Sequence, residues 1–250
     1  MSTSWENSHK WYDSIVGEKG HYYHEQIVLP NSLKLLKLQK GDSLLDLGCG
    51  QGVLARSLPP GVSYAGVDAA PSLIHSAKAK SKHPFYVSDI TQPLSIKEKS
   101  FSHAAMILVT QNLEHVDGAF KNAASHLKPQ GKLLIVMNHP CYRIPRQSSW
   151  GVDEPKKLQY RRVDLYMSSL KIPIQTNPGQ QDKSATTWSF HHPLSYYSQK
   201  LAESGFVIET LEEWISDKKS TGGRAAMENR SRKEFPLFLA LLASRNHSNH

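Results

Sequence analysis

Short apolar runs alternate with amphipathic stretches along the first 139 residues of the chain. The apolar runs predict buried strands at 43–47, 62–68, 84–90, 101–109 and 132–139. Between them, apolar residues that recur on one side predict helices at 30–38, 53–58, 71–81 and 112–127. Strands that alternate with helices in this way are typical of a parallel sheet covered on both faces.

The alternation stops after residue 139, and a different pattern closes the chain. Residues 140–190 contain strand-like pieces at 158–167 and 170–175 among proline and glycine, which predicts an insertion after the fifth strand. A helix is predicted at 192–205, and the apolar runs 206–216 and 235–244 predict an antiparallel pair. The polar stretch 217–234 between these runs is predicted to be mobile.

Together these elements predict a single α/β domain over residues 1–250. The expected fold class is a Rossmann-like, doubly wound, seven-stranded and mostly parallel sheet with a C-terminal antiparallel strand. Ligands of such sheets bind outside the carboxyl ends of the strands. The strand-end residues that we therefore expect around one crevice are Asp46, Asp68, Asp89, Ile107 and His139.

The segment LLDLGCGQG at 44–52 is the most informative part of the sequence. Its glycines let the backbone approach a ligand closely, but Gly52 comes two residues after Gly50, whereas dinucleotide-binding loops have three residues there. Asp46, just before the loop, would repel a pyrophosphate and can pair with an ammonium group. The segment therefore predicts binding of a cationic nucleoside that lacks phosphate.

Five segments resemble motifs of the class I S-adenosylmethionine-dependent methyltransferases. They are LLDLGCGQG (44–52), GVD (66–68), SDI (88–90), ILVTQNLEHV (107–116) and LKPQGKLLIV (127–136). The resemblance covers residues 40–140 well and 190–245 in outline. It is strongest to the small-molecule group that includes ubiquinone and menaquinone C-methyltransferases, and it implies S-adenosylmethionine as methyl donor and S-adenosylhomocysteine as product.

The resemblance implies roles for individual residues. Asp46 is expected to interact with the methionine ammonium, Asp68 with the ribose hydroxyls, and Asp89 with the adenine. The N-terminal segment WYDSIVGEKGHYYHE is similar to segments that lie over the cofactor in such enzymes. The residues expected to contact the cofactor are Tyr12, Asp46, Gly48, Cys49, Gly50, Asp68, Ala69, Asp89, Ile90 and Ile107.

Substrate contacts are predicted on two segments beside the cofactor strands. Residues 1–38 are expected to form a cap over cofactor and substrate, and residues 140–190 a lid over the substrate. Histidine titrates near neutral pH, so His139 and His192 are the candidate catalytic residues. A hydrogen-bonded structural role is the alternative for each.

The remaining substrate candidates are an arginine and several ring side chains. Arg143 can bind a carboxylate or phosphate of the substrate, or it can be a surface arginine. The rings can form a lid for an aromatic substrate, or they can pack the N-terminal segment onto the core. The residues predicted to contact substrate are Tyr22, His24, Arg143 and Trp150.

Composition adds limits on the partners and the compartment. Two cysteines, Cys49 and Cys141, exclude a disulfide framework, and no metal-ligand spacing is present. No apolar stretch of about 18 residues predicts a membrane span, and no secretory signal is apparent, so we expect a cytoplasmic protein.

A net charge of +8 and the basic residues of 218–233 make a nucleic acid a conceivable partner, although not the favoured one. The favoured hypothesis is methyl transfer to a small molecule. The alternatives are methylation of RNA, a nicotinamide oxidoreductase, and a protein that binds S-adenosylmethionine without catalysis.

Overall fold

The computed structural model describes Glu6, residues 21–175 and residues 186–246. Its strands are β1 (Ser43–Leu47), β2 (Ser63–Asp68), β3 (Phe85–Val87), β4 (Phe101–Ile107), β5 (Leu127–Asn138), β6 (Ser148–Asp153), β7 (Leu158–Val163), β8 (Leu170–Gln175), β9 (Thr186–His191), β10 (Phe206–Trp214) and β11 (Phe238–Arg245). Its α-helices are α1 (Leu29–Leu36), α2 (Val53–Arg56), α3 (Pro71–Lys80), α4 (Asp117–His126), α5 (Leu194–Glu203) and α6 (Ala225–Glu234). A π-helical turn, His24–Val28, precedes α1, and a 3₁₀ turn, Thr110–Asn112, follows β4.

Seven strands form the central sheet in the order β10-β11-β5-β4-β1-β2-β3. Strands β1 to β5 pair in parallel, and β11 runs antiparallel to both β5 and β10. This sheet confirms the predicted fold class. The strand order reverses direction between β1 and β4, and such a switch point opens a crevice at the carboxyl ends of the strands.

The sheet separates two apolar layers because successive side chains of a strand point to opposite faces. Leu45 and Leu47 of β1 pack on the side of α4 and α5, with Phe120 and Leu201. Leu44 packs on the other side, which α1, α2 and α3 cover. Both faces are therefore buried, as the near-continuous apolar runs predict.

Two predicted element boundaries differ from the structure around the fourth and fifth strands. The helix predicted at 112–127 begins at Asp117, because Thr110–Asn112 form a separate 3₁₀ turn. Strand β5 begins at Leu127, because Phe101 at the start of β4 pairs with Leu127 and the sheet extends through the predicted turn. The pairing with β4 therefore decides the conformation of this segment.

Within the described residues, the insertion after β5 contains two antiparallel hairpins, β6–β7 and β8–β9. The strand-like pieces predicted at 158–167 and 170–175 correspond to β7 and β8. The prediction lacks their partners β6 and β9, since serine and glycine weaken the pattern at 148–153 and the insertion is predicted to end at residue 190. The hairpin β8–β9 reaches the crevice, as described below.

The polar stretch 217–234, which is predicted to be mobile, contains helix α6, which the sequence pattern does not predict. This helix has no apolar stripe, and its buried residue is Ser231, whose hydroxyl donates to the carbonyl of Gln159 on β7 at 2.8 Å. Asn229 holds the preceding loop through both the amide and the carbonyl of Ser220, at 2.7 and 3.0 Å. Polar contacts stabilise this helix, and hydrophobic periodicity cannot reveal such contacts.

Candidate active site

One cavity of about 570 Å³ opens at the carboxyl ends of β1, β2 and β4. This volume lies within the range of roughly 300–1,000 Å³ that is typical of small-molecule sites. One side of the wall comes from the strand-end loops, and the other comes from the hairpin β8–β9. The lining residues are His24, Gly48, Gly50, Asp68, Ala69, Leu73, Asp89, Ile90, Ile107, Leu108, Val109, Gln111, Asn112, Leu113, Asn138, Pro145, Ile174, Thr187, Trp188 and Ser189.

The glycine loop after β1 approaches the cavity with its backbone. The amides of Gly48 and Cys49 donate to the carbonyl of Val67 on β2, at 2.7 and 3.0 Å. Gly48 has a φ of +82°, and an added Cβ would stand 2.5 Å from Cγ2 of Val109. A side chain at position 48 is therefore excluded both by backbone conformation and by space.

Asp68 at the end of β2 joins the glycine loop to the next helix. Its Oδ2 accepts from the amide of Gly50 and its Oδ1 from the amide of Ala70, both at 2.9 Å. Burial raises the pKa of Asp68, and these backbone hydrogen bonds oppose that rise. Each carboxylate oxygen can still accept a second hydrogen bond from a ligand in the cavity.

Asp46 and Cys49 lie behind the cavity wall in the part of the chain that the structure describes. Asp46 is 3% exposed, and its Oδ2 accepts from the hydroxyl of Tyr64 at 2.8 Å. Burial raises the pKa of Asp46 to about 7, with a smaller contribution from Asp68 and an opposing one from the Tyr64 hydrogen bond. Burial also raises the pKa of the Cys49 thiol, which makes that thiol a poor nucleophile.

The cavity brings together most of the residues that the sequence predicts for the cofactor. These residues are Gly48, Gly50, Asp68, Ala69, Asp89, Ile90 and Ile107. Asp89 is oriented by Thr91, whose amide and hydroxyl both donate to Oδ1 at 2.8 Å. Tyr12 lies outside the described residues.

The two candidate catalytic histidines are buried away from the cavity, and both ring nitrogens of each are engaged. Nδ1 of His139 accepts from the amide of Cys141 at 3.2 Å, so Nε2 carries the proton and donates to Glu213 at 2.7 Å. In His192, Nε2 donates to the carbonyl of Glu114 at 3.1 Å, and Nδ1 pairs with the hydroxyl of Ser169 at 2.9 Å. This geometry corrects the prediction, because both histidines occupy structural positions.

His24 is the predicted substrate residue that does line the cavity. It begins the π-helical turn before α1, a rare conformation that often occurs at functional sites. Burial lowers the pKa of His24 to about 4, with a smaller contribution from the charge of His21. His24 therefore presents a neutral imidazole at neutral pH.

The other predicted substrate residues lie apart from the cavity. Tyr22 donates to Asp217 at 2.8 Å on the outside of the fold. Trp150 is 41% exposed on β6 and meets the ring of Phe235 edge-on, with a centroid separation of 5.4 Å. Arg143 lines a small neighbouring cavity of about 20 Å³. The prediction of a direct contact therefore needs correction for Tyr22 and Trp150. The small cavity beside Arg143 shares lining residues with the main cavity, so the contact of Arg143 with substrate stays a prediction.

The residues that sequence reasoning missed lie in two places. The turn after β4 contributes Leu108 and Gln111, within the segment matched to the family but without individual roles. The hairpin β8–β9 contributes Ile174, Thr187 and Trp188. The alternation of threonine and aromatic residues in TTWSFH is a strand signal that identifies β9.

Charged side chains also lie outside the cavity. Among residues 6, 21–175 and 186–246, no group of three or more His, Cys, Asp or Glu side chains is arranged to hold a metal ion. The basic segment near α6 is partly neutralised, since Arg224 pairs with Glu154 at 2.6 Å and Arg232 with Glu228 at 3.9 Å. None of the described helices is long and apolar enough to cross a membrane.

Comparisons with known proteins agree with this geometry. The chain is 29% identical over 146 residues to a demethylmenaquinone methyltransferase of Tropheryma whipplei, covering 51% of this chain and 60% of that protein. It is 34% identical over 117 residues to a ubiquinone biosynthesis O-methyltransferase of Coxiella burnetii, covering 44% of this chain and 50% of that protein. The chain thus matches between half and about 60% of the length of these relatives.

The fold is similar to that of solved methyltransferases. The crystal structure of an S-adenosylmethionine-dependent methyltransferase from Mesorhizobium loti matches with a TM-score of 0.65 and 22% identity, over 86% of this chain and 96% of that one. A family model described as a methyltransferase domain matches residues 19–211, well over half of the chain. These findings confirm the resemblance inferred from the motifs, with S-adenosylmethionine as the cofactor, and the chain belongs to the methyltransferase-domain family.

Proposed function

We propose that this protein transfers a methyl group from S-adenosylmethionine to a small, ring-bearing molecule. The observation that carries the proposal is the composition of the cavity, where the family's cofactor positions face an apolar and aromatic hairpin. The transfer breaks the bond between the sulfonium sulfur and its methyl carbon and forms a bond between that carbon and the acceptor. S-adenosylhomocysteine and the acceptor's proton leave.

The chain's own residues fit the cofactor on the side of β1, β2 and β3. The free lone pairs of Asp68 suit a ribose diol, and the oriented carboxyl of Asp89 with Ile90 suits adenine. An added Cβ at Gly48 would collide with Val109, so the bare glycine backbone keeps the loop in the position that suits the methionyl part. When bound there, the cofactor supplies a methyl group that its sulfonium already activates, so the protein mainly aligns the reactants and excludes water.

The acceptor side is apolar with a few polar groups. Ile174, Trp188 and Leu113 offer flat apolar surface, and His24 offers an imidazole that is neutral above a pH of about 4. A neutral imidazole can accept a hydrogen bond from a hydroxyl. The names of the two relatives, which refer to menaquinone and ubiquinone, support a ring-bearing acceptor for this chain as well.

Calorimetric titration tests the cofactor part of the proposal. S-adenosylmethionine and S-adenosylhomocysteine are expected to bind the purified protein with micromolar affinity, and NADH is not. Asp68→Asn keeps the shape of the side chain but replaces one acceptor oxygen with an NH2 group, which loses a backbone hydrogen bond and weakens the contact with the ribose, so affinity should fall by at least about tenfold. Asp164→Asn, at an exposed aspartate beyond the end of β7, is the matched control and should bind normally.

A methyl-transfer assay tests whether the protein methylates a small molecule. The protein is incubated with donor carrying a labelled methyl group and a panel of hydroxylated aromatic molecules, and a separate arm contains total RNA. Label in a small molecule supports the proposal, and label in RNA replaces it with RNA methylation. Tight cofactor binding without turnover across both arms would indicate a protein that binds the cofactor without catalysis.

A further inference from the structure

Gln111 carries an unpaired hydrogen-bond acceptor at the cavity wall. Its Nε2 donates to the carbonyl of Leu108 at 3.0 Å. That carbonyl can only accept, so the amide orientation is determined and Oε1 must point away from Leu108. Oε1 is buried, and no donor among the described residues reaches it.

The backbone beneath this amide is held in an uncommon conformation. Leu108 has a φ of +57°, in the left-handed region that a leucine rarely adopts. Its carbonyl receives both the Gln111 amide and, at 3.3 Å, the Asn112 amide, while its own N–H donates to Val136 on β5 at 2.7 Å. Strained backbone of this kind is often found where a side chain must be aimed at a ligand.

A second unpaired polar group lies on the facing hairpin. Thr187 of β9 is 5% exposed and lines the same cavity. Its hydroxyl has no hydrogen-bond partner within the described residues. Strand β9 packs against the turn Thr110–Asn112, so Thr187 and Gln111 belong to adjoining parts of the wall.

Burying a polar atom without a partner costs about 1–3 kcal/mol, so two such atoms in one cavity wall indicate a ligand that completes them. Oε1 of Gln111 can accept a hydrogen bond but cannot donate one. The wall around both groups is apolar, with Leu113, Ile174 and Trp188. The complementary molecule is therefore flat and apolar and carries a hydrogen-bond donor.

We propose that Gln111 and Thr187 form the site that recognises a ring hydroxyl of the methyl acceptor. The amide oxygen of Gln111 accepts the hydroxyl proton, and the hydroxyl of Thr187 completes the contact. The acceptor class is thus a phenol or enol on a flat ring. This inference rests on the proposed function and specifies its substrate.

The test uses protein saturated with S-adenosylhomocysteine and a matched pair of probes, 1-naphthol and 1-methoxynaphthalene. Both have the same ring, but the methoxy compound lacks the O–H donor. Calorimetry is expected to show that the wild type binds 1-naphthol at least about tenfold more tightly, because the acceptor Oε1 of Gln111 stays unpaired in the complex with the methoxy compound. Thr187→Val and Gln111→Leu should reduce this preference to about twofold or less.

Two further measurements separate recognition from structural support. Val has nearly the same shape as Thr, and it removes an unpaired hydroxyl, so Thr187→Val should unfold at a temperature no lower than the wild type. Thr187→Ser should restore the preference for 1-naphthol. Thr110→Val is the matched control, because Thr110 is fully buried in the same turn with an unpaired hydroxyl but does not line the cavity.

Equal binding of the two probes to the wild type would overturn the inference, as would an unchanged preference in Thr187→Val. So would a loss of preference in Thr110→Val, since the effect would then come from a distorted turn. If S-adenosylhomocysteine binds but neither probe does, a ring hydroxyl is not recognised, although the methyltransferase assignment stands. If S-adenosylhomocysteine itself does not bind, the proposed function fails.

Discussion

The two sides of the cavity are built in different ways. On the cofactor side, backbone groups at strand ends hold the binding residues in place. The amides of Gly50 and Ala70, for example, donate to Asp68 and orient it. On the acceptor side, side chains from the turn before α1, the segment after β4 and the hairpin β8–β9 meet across the cavity. The cofactor side thus depends on the parallel sheet itself, whereas the acceptor side depends on how separate segments fold onto it.

This difference makes the cofactor side the more sensitive to small changes of shape. Gly48→Ala should abolish detectable heat of binding for S-adenosylmethionine, because the new Cβ would stand 2.5 Å from Val109 and the φ of +82° strains any other residue. Gly205→Ala is the matched control. Gly205 has a φ of +79°, and nothing lies within 4 Å of its added Cβ.

The control should lose about 1–2 kcal/mol of stability and keep its affinity for the cofactor. The double variant Gly48→Ala/Val109→Ala should recover part of the binding, since it removes the contact but not the strain. Normal binding by Gly48→Ala would mean that the close packing of this backbone against Val109 is not needed for cofactor binding.

The buried carboxyl of Asp46 predicts a pH effect on the same side. Its pKa rises from near 3.8 to about 7 on folding, so the folded protein keeps a proton that the unfolded chain has lost. Stability from this group is complete below pH 4 and is lost as pH rises to 7, by about 4 kcal/mol. Asp46→Asn, whose amide oxygen can still accept from Tyr64, should lack this loss.

Urea unfolding of the wild type and Asp46→Asn between pH 4 and pH 8 measures that difference. The stability of the wild type relative to the variant should decrease steadily across this interval. Asp164→Asn, at an exposed position, should show no such slope relative to the wild type. A flat difference for Asp46→Asn would mean that the carboxyl is already ionised in the folded protein at pH 4.

His24 predicts the opposite slope on the acceptor side. Folding lowers its pKa from 6.5 to about 4, so the unfolded chain binds a proton that the folded protein does not. Stability from this group is present above pH 6.5 and is lost as pH falls towards 4, by about 3 kcal/mol. Unfolding of His24→Gln should lack this loss, and His75→Gln, at an exposed histidine on α3, should retain it.

The same contrast explains how much could be predicted from the sequence. Apolar runs that end at Asp68 and Asp89 predict strands whose carboxyl ends meet, and these residues do line the cavity. This works because parallel pairing leaves few arrangements for the strand ends. The motif placed Asp46 against the ligand, however, and its hydrogen bond to Tyr64 depends on packing between two strands.

On the acceptor side, the order of residues along the chain gives much weaker guidance. His139 follows β5 directly, yet the turn after this strand directs its ring towards Glu213 on β10. Trp150 and Trp188 are both tryptophans of the insertion, but only the second lies on the hairpin that reaches the cavity. Which hairpin folds inwards is decided by contacts between segments, such as β9 with the turn after β4.

A comparison of these two tryptophans tests which hairpin contributes to the acceptor side of the cavity. Its expected effect is the smallest. Trp188→Ala should weaken binding of 1-naphthol to the protein saturated with S-adenosylhomocysteine by about tenfold, or about 1.4 kcal/mol, because a flat wall of the cavity is removed. Its affinity for S-adenosylhomocysteine should not change. Trp150→Ala should instead lower the unfolding temperature through lost contact with Phe235 and leave both affinities intact. If Trp150→Ala weakened the binding of 1-naphthol as much as Trp188→Ala does, the hairpin β6–β7 would belong to the acceptor side of the cavity. The lid would then include both hairpins.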